Sequence, residues 1–161
     1  MMEPMKARVL RWWMSGWLLV IMVTSFCGAP TEKELIFDHL RDLAGTVEDG
    51  DLAAAMTYIS LEYHDARERT YADIEELIGG YLEGHPGIVI HILDGEIADL
   101  QPTYASLQLD ISVSSGYARA LRKVISISGY LVRLSLKLEK TLGIWQVKAA
   151  DWRVISRDEL F

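Results

Sequence analysis

Cysteine is almost absent from this chain: Cys27 is the only one in 161 residues. No disulfide can form within the chain, and no zinc site built on several thiolates is available. The four histidines, His39, His64, His85 and His91, lack a paired ligand spacing such as His-Glu-x-x-His, so no metal site is expected. A glycine-rich phosphate loop, a Gly-x-Ser-x-Gly elbow and a Cys–His nucleophile pair are also missing, and no cofactor is expected. Prolines number four, and there is no internal repeat or low-complexity tract, which excludes collagenous and disordered classes. Positive charge is scarce as well. Residues 30–161 carry 13 basic against 22 acidic side chains. A surface near −9 lacks the cationic footprint that drives nucleic-acid binding, and an anionic leaflet would repel it. No nucleic-acid partner is expected.

What is present begins with an address. Lys6, Arg8 and Arg11 precede an apolar run over residues 12–27, the charged and apolar regions of an export signal. That run has 16 residues, fewer than the roughly 20 of a comfortable membrane span. Cys27 stands where the run stops and is followed by Gly28, Ala29 and Pro30. It resembles the acylated cysteine of a bacterial lipoprotein, although Phe26 occupies the position where Gly or Ala is usual. Two other readings stay open: an uncleaved signal anchor, with Trp12, Trp13 and Trp17 at the interface, and free secretion. Each places the folded part outside the cytoplasm, facing the periplasm in a bacterial envelope. The Arg-Asp-Glu-Leu run over residues 157–160 is not a retention signal, because Phe161 follows it. The chain therefore divides into a signal or anchor, 1–27, and one domain, 28–161.

Three helices open that domain. Thr31 with Glu34 reads as a capping box, followed by Ile36, Leu40, Leu43 and Val47 on one face. Gly50 ends this helix, and Asp51 caps a shorter one carrying Leu52, Ala55, Met56 and Ile59. Thr70 with Asp73 caps the third, whose stripe is Ile74, Leu77, Ile78 and Tyr81 and which ends at Gly84. From Ile88 the period changes to two. Residues 88–100 read as a strand interrupted at Asp94-Gly95. Next, Ala105, Leu107, Leu109, Ile111 and Val113 alternate against Ser106, Gln108, Asp110 and Ser112. Tyr130, Val132, Leu134, Leu136 and Leu138 alternate against Arg133, Ser135, Lys137 and Glu139, and a Leu142-Gly143 turn leads to Trp145, Val147 and Ala149. One-sided alternation predicts an antiparallel sheet with one packed and one wet face. The fold class is α+β, three helices on a sheet bent at glycines such as Gly95 and Gly129 into a cone.

That order resembles the nuclear transport factor 2-like superfamily, also called ketosteroid isomerase-like or cystatin-like. Residues 47–56 (VEDGDLAAAM) are similar to the acidic turn between its first two helices, and 59–65 (ISLEYHD) to the stretch that follows. Residues 143–147 (GIWQV) and 150–153 (ADWR) resemble its terminal strand with paired tryptophans. With the Cys-Gly-Ala-Pro run, the chain looks like a small envelope lipoprotein carrying such a domain. The superfamily includes isomerases, dehydratases, adaptors and secretion subunits, so the resemblance implies a fold more than an activity. Its isomerases set an aspartate base and a tyrosine–acid oxyanion pair in the cone. Here the first-helix stripe of Ile36, Leu40 and Leu43 is apolar where that tyrosine would stand.

His91, inside the apolar run 88–93, is a base candidate if it faces the cone, and a sheet-surface histidine if it does not. Asp151 is in phase with Trp145 and Val147 and would be a buried carboxylate. A bulge near Ala150 would instead turn Trp152 inward and leave Asp151 to pair with Arg153 or Arg133. Tyr63, His64 and Asp65 could line the cone mouth, or Asp65 could pair with Arg67 or Arg69 and hold the connector. Tyr81 and Tyr130 could donate to a pocket ligand or belong to the core. The pocket-lining candidates are therefore Tyr63, Tyr81, His91, Tyr130, Asp151 and Trp152. The expected function is a non-enzymatic envelope lipoprotein, lipid-attached at Cys27, binding a protein partner or small apolar ligand and able to form a homodimer through its sheet. Alternatives are a proton-transfer isomerase or dehydratase using Asp151 or His91, and a membrane-anchored subunit of a secretion assembly.

Overall fold

The computed structural model describes residues 29–114 and 130–160; the signal region, Cys27 and Gly129 lie outside the described residues. Apart from Glu32, every element below belongs to one compact unit, Lys33–Phe161. None of the helices among the described residues is long and apolar enough to cross a membrane.

Helix α1, Glu32–Asp49, buries Ile36 and Leu40. It stops where Gly50 takes φ +74°, a conformation that glycine adopts without steric cost. The Gly50 and Asp51 amides then donate back to the carbonyls of Val47 and Thr46 at 3.1 and 3.0 Å. Asp51 turns the chain directly into α2, Leu52–Met56, by accepting the Ala54 amide at 2.9 Å. Ile59, expected on this helix, lies instead in the connector beyond it and bridges Val147 in parallel. Helix α3, Tyr71–Gly84, starts at Thr70, whose backbone amide and hydroxyl both donate to the Asp73 carboxylate at 2.7 Å. Its apolar stripe is only half covered: Ile74 is buried, whereas Leu77 and Tyr81 are 42% and 40% exposed.

Four antiparallel strands follow in the order β1-β2-β3-β4: Val89–Leu100, Tyr104–Ser114, Tyr130–Thr141 and Ile144–Ile155. Strand β1 is continuous where an interruption was expected. Register shifts leave Leu93 and Ala98 as the extra residues, and each resets the phase so that Ile92, Ile97 and Leu100 pair with Ile111, Leu107 and Ala105. Gly95 is therefore not one of the extra residues. It sits opposite Leu109, and a Cβ there would lie 2.5 Å from the Phe37 ring and 2.8 Å from Leu109. The missing side chain lets α1 press directly onto β1.

Strands β3 and β4 meet in a two-residue hairpin, Leu142-Gly143, with both residues at positive φ, 52° and 87°. Such a turn matches the sheet twist but favours Asn or Gly at its first position, and a leucine there is strained. In β4 the extra residue is Lys148, because Val147 pairs with Leu138 and Ala149 with Lys137. Ala149, expected to face inward, is turned outward by this bulge. The wet face is also less open than the alternation implied. Asp110 and Ser112 are 7% and 2% exposed. Arg133 holds Asp110 through two bonds of 2.7 and 2.6 Å and donates to the Glu159 carbonyl, bringing the C-terminal 3₁₀ turn, Arg157–Glu159, beside the carboxylate. Tyr130, expected in the packed set, is 74% exposed at the start of β3.

Gly95→Ala should destabilise the domain by about 1–3 kcal/mol through overpacking. Urea denaturation of this variant, of Phe37→Leu and of the double variant should show a positive rescue by the smaller side chain. Additive losses would mean that Phe37 is not what excludes a Cβ at this position.

Candidate functional site

Between α1, α3 and the inner sheet face lies a cavity of about 210 Å³. Helix α1 supplies Leu40, Leu43 and Val47, and α3 supplies Ile74, Leu77 and Ile78. The floor is made by Ile92, Leu109 and Leu136 from three strands. An engineered core cavity of about 150 Å³ lined by similar side chains stays dry and takes up benzene, which sets the size class of an occupant. Only two lining residues carry a side-chain polar atom, Tyr63 and Trp152.

Both are placed by β4. The connector after α2 runs along this strand: the Ser60 and His64 amides donate to the carbonyls of Val147 and Lys148 at 2.9 and 3.0 Å, and the Val147 amide donates to Tyr58. Tyr63 is thereby carried over Ala150. The bulge at Lys148 sets Trp152 opposite Leu134 on the inner face and Asp151 opposite Ser135 on the outer face. A phase swap near this point was read from the sequence, and the extra residue stands two positions before Ala150.

The Tyr63 hydroxyl is not offered to the cavity. It donates to Asp65 Oδ2 at 2.9 Å and accepts the Ala150 amide at 3.2 Å. Asp65, 6% exposed, also accepts Arg69 Nε at 2.7 Å and the Arg67 and Arg69 amides at 2.8 and 3.2 Å. Arg69 completes the ion pair through Nη2 at 2.6 Å while its guanidinium stands 3.9 Å over the Trp152 ring. Arg67 covers the same ring at 5.5 Å and reaches Asp151 at 3.6 Å. The partner of Asp151 is thus Arg67, rather than Arg153 or Arg133. Burial alone would push the Asp65 carboxyl up, but the hydrogen bonds from Arg69, the Arg67 amide and Tyr63 outweigh it and bring the pKa to about 2. Burial and then the Asp65 hydrogen bond raise Tyr63 to about 12.

The other candidates are scattered. His91 pairs with Ser112 on the outer face of the sheet. Tyr81 stacks on His85 at 4.2 Å at the end of α3, and exposed Tyr130 stands at the far end of β3. Of the pocket-lining candidates, only Tyr63 and Trp152 reach the cavity. His64 is exposed. Among the described residues, no group of three His, Cys, Asp or Glu is arranged to hold a metal ion. One polar cluster was not read from the sequence. Ser60, 3% exposed, donates to Glu139 at 2.6 Å, and Lys148 bridges Glu139 and Glu62. The bond from Lys148, followed by that from Ser60, holds the Glu139 carboxyl below its usual range. Seventy-nine residues separate Ser60 from Glu139, and no local pattern connects them.

Asp65→Asn should cost about 3–5 kcal/mol, because Arg69 would lose its buried counter-charge. The Asp65 pKa is depressed on folding, so its stabilisation is complete above the unfolded value near 3.8 and is lost as pH falls towards about 2. Acid unfolding followed by circular dichroism should show this loss between those limits in the wild type and not in Asp65→Asn. An unchanged acid limb would remove the assigned role.

The sequence matches no protein-family model, and no curated protein is similar to it in sequence. Solved structures are similar in fold. A Novosphingobium aromaticivorans protein with a provisional scytalone dehydratase name superposes with a TM-score of 0.64 at 12% identity, covering 78% of this chain and 85% of that one. A cystatin-like protein of unknown function from Nostoc punctiforme gives 0.62 at 10% identity, covering 83% and 100%. A nuclear transport factor 2-like protein from Cytophaga hutchinsonii gives 0.60 at 14% identity, covering 78% and 100%. Three helices against a curved four-stranded antiparallel sheet, superposing on these structures over most of their length, give this chain the nuclear transport factor 2-like, or cystatin-like, cone fold.

Proposed function

We propose that the domain is a non-enzymatic binding module that takes a small apolar ligand into the cavity between α1, α3 and the sheet. One observation carries this reading: the cavity wall is hydrocarbon, and the one hydroxyl on it is already engaged by Asp65 and Ala150. A proton-transfer reaction needs an acid or base within hydrogen-bond reach of the substrate. Asp151 and His91 stand on the opposite face of the sheet. Some fold neighbours carry dehydratase or hydroxylase names, but a fold hosts many chemistries and the site decides between them. The binding module is held at the bacterial envelope, facing the periplasm, by acyl chains on Cys27.

Toluene is the probe for the cavity. At about one hundred times its dissociation constant it should stabilise the wild type by about 2.7 kcal/mol, read as a raised Tm. Ala44→Leu, which extends a cavity-lining side chain of α1, should fold and lose that response. Equal responses from both proteins, or none from the wild type, would sink the binding reading. For the tether, Cys27→Ser should leave an unprocessed precursor in the bacterial membrane, seen as a slower band. Normal maturation of this variant would exclude acylation.

A further inference from the structure

Among the described residues, the large apolar side chain most open to solvent stands at a turn. Leu142 is 98% exposed and Ile144 58%, and they flank Gly143 at the β3–β4 tip. Leu142 is also at φ +52°, where Asn or Gly would relieve the strain. The tip therefore places a leucine where neither burial nor backbone preference favours one. Its surroundings identify the end of the sheet. The Lys140 amide donates to the Thr103 carbonyl at 2.9 Å, which ties the β1–β2 turn to the tip, and Leu100 beside that turn is 43% exposed.

Helix α1 approaches the same end. Its contacts run from Glu48, which accepts the Ile90 amide, to Phe37 at Gly95. His39 packs on Tyr58 at 4.6 Å and against the backbone of Trp145, the residue after Ile144. The N-terminal turns of α1 therefore lead towards the tip. The chain enters the unit at Lys33, six residues after Cys27. Six residues span at most ~20 Å. An acylated Cys27 would hold this end of the domain close to a bilayer.

We infer that the β3–β4 tip, through Leu142 and Ile144, seats in the interfacial layer of a lipid bilayer and fixes the orientation of the tethered domain. This assignment rests on the Cys27 tether proposed above. The lipid it fits is zwitterionic, because the acidic domain is repelled by an anionic surface and the contact is hydrocarbon. With the tip seated, the domain is held at two points.

Photo-crosslinking in native membranes tests it. The full chain is expressed with benzoylphenylalanine in place of Leu142 or, as control, Val154, which is 67% exposed ten residues beyond Ile144 on β4. Irradiation should yield phospholipid adducts several-fold more often at position 142 than at 154. A second variant, Leu142→Asn with the probe at Ile144, should raise Tm and lose most of the lipid adduct, which separates contact from folding. A second copy of the chain or another protein crosslinked at 142, or equal lipid adducts at both positions, would overturn the assignment. Intact mass of the same samples separates the two readings. Lipid adducts at 142 on an unacylated chain remove the tether and keep the tip; an acylated chain without them removes the tip and keeps the tether.

Discussion

The single extra residue in β4, Lys148, is the constraint from which the arrangement of the site follows. Without it, strict alternation would continue the inward set from Trp145 and Val147 to Ala149 and Asp151, burying a carboxylate in an apolar cavity and exposing Trp152. With it, the strand turns over by one residue, Trp152 closes the cavity and Asp151 meets Arg67 in solvent. A bulge breaks the ladder locally and needs outside support. Lys148 supplies some of it by bonding Glu139 on the neighbouring strand and Glu62 on the connector. Ser60, on the same connector, bonds Glu139 in turn. The bulge and the connector along β4 hold each other.

The buried charge depends on the same connector. Burial opposes the ionisation of Asp65, yet the loop between Asp65 and Arg69 closes tightly enough to aim two amides and a guanidinium at it. Glu68 takes a positive φ of 60° within that loop, a local cost that the Asp65 network offsets. Arg69 is held between this carboxylate and the face of Trp152. Charge is therefore kept just behind the cavity wall, close enough to fix Tyr63 and Trp152 and turned away from the interior. The outcome is an apolar site whose one hydroxyl is already paired.

The cavity arises from an incomplete layer. Gly95 lets Phe37 bring α1 hard against β1, whereas α3 leaves Leu77 half exposed and does not fill the space between itself and α1. Tight contact on one side and a gap on the other are compatible because core packing answers to local shape. The same helix face that reads as a core stripe in the sequence serves here partly as a cavity wall.

Much of the fold was legible because its signals are local. The caps at Asp51 and Thr70, the stop at Gly50, the period-two alternation of β2 and β3 and the Leu142-Gly143 turn each depend on residues within a few positions of one another. A pairing of Asp65 with Arg67 or Arg69 was legible for the same reason, since both are close in the chain, and the structure selects the Arg69 side chain. The sequence by itself also determined the acidic balance and the apolar faces of the helices and strands, which are properties of composition and periodicity. Tertiary structure alone decided that His91 faces outward, because both faces of β1 are apolar and two bulges reset its phase. It alone brought Asp110 out of solvent, by closing Arg133 and the C-terminal turn over a face that alternation marked as wet. It alone joined Ser60 to Glu139 and laid Arg69 on Trp152. Those contacts link residues far apart in the chain, and strand register and bulge position, which set them, are fixed by the packing of the whole sheet rather than by any one segment.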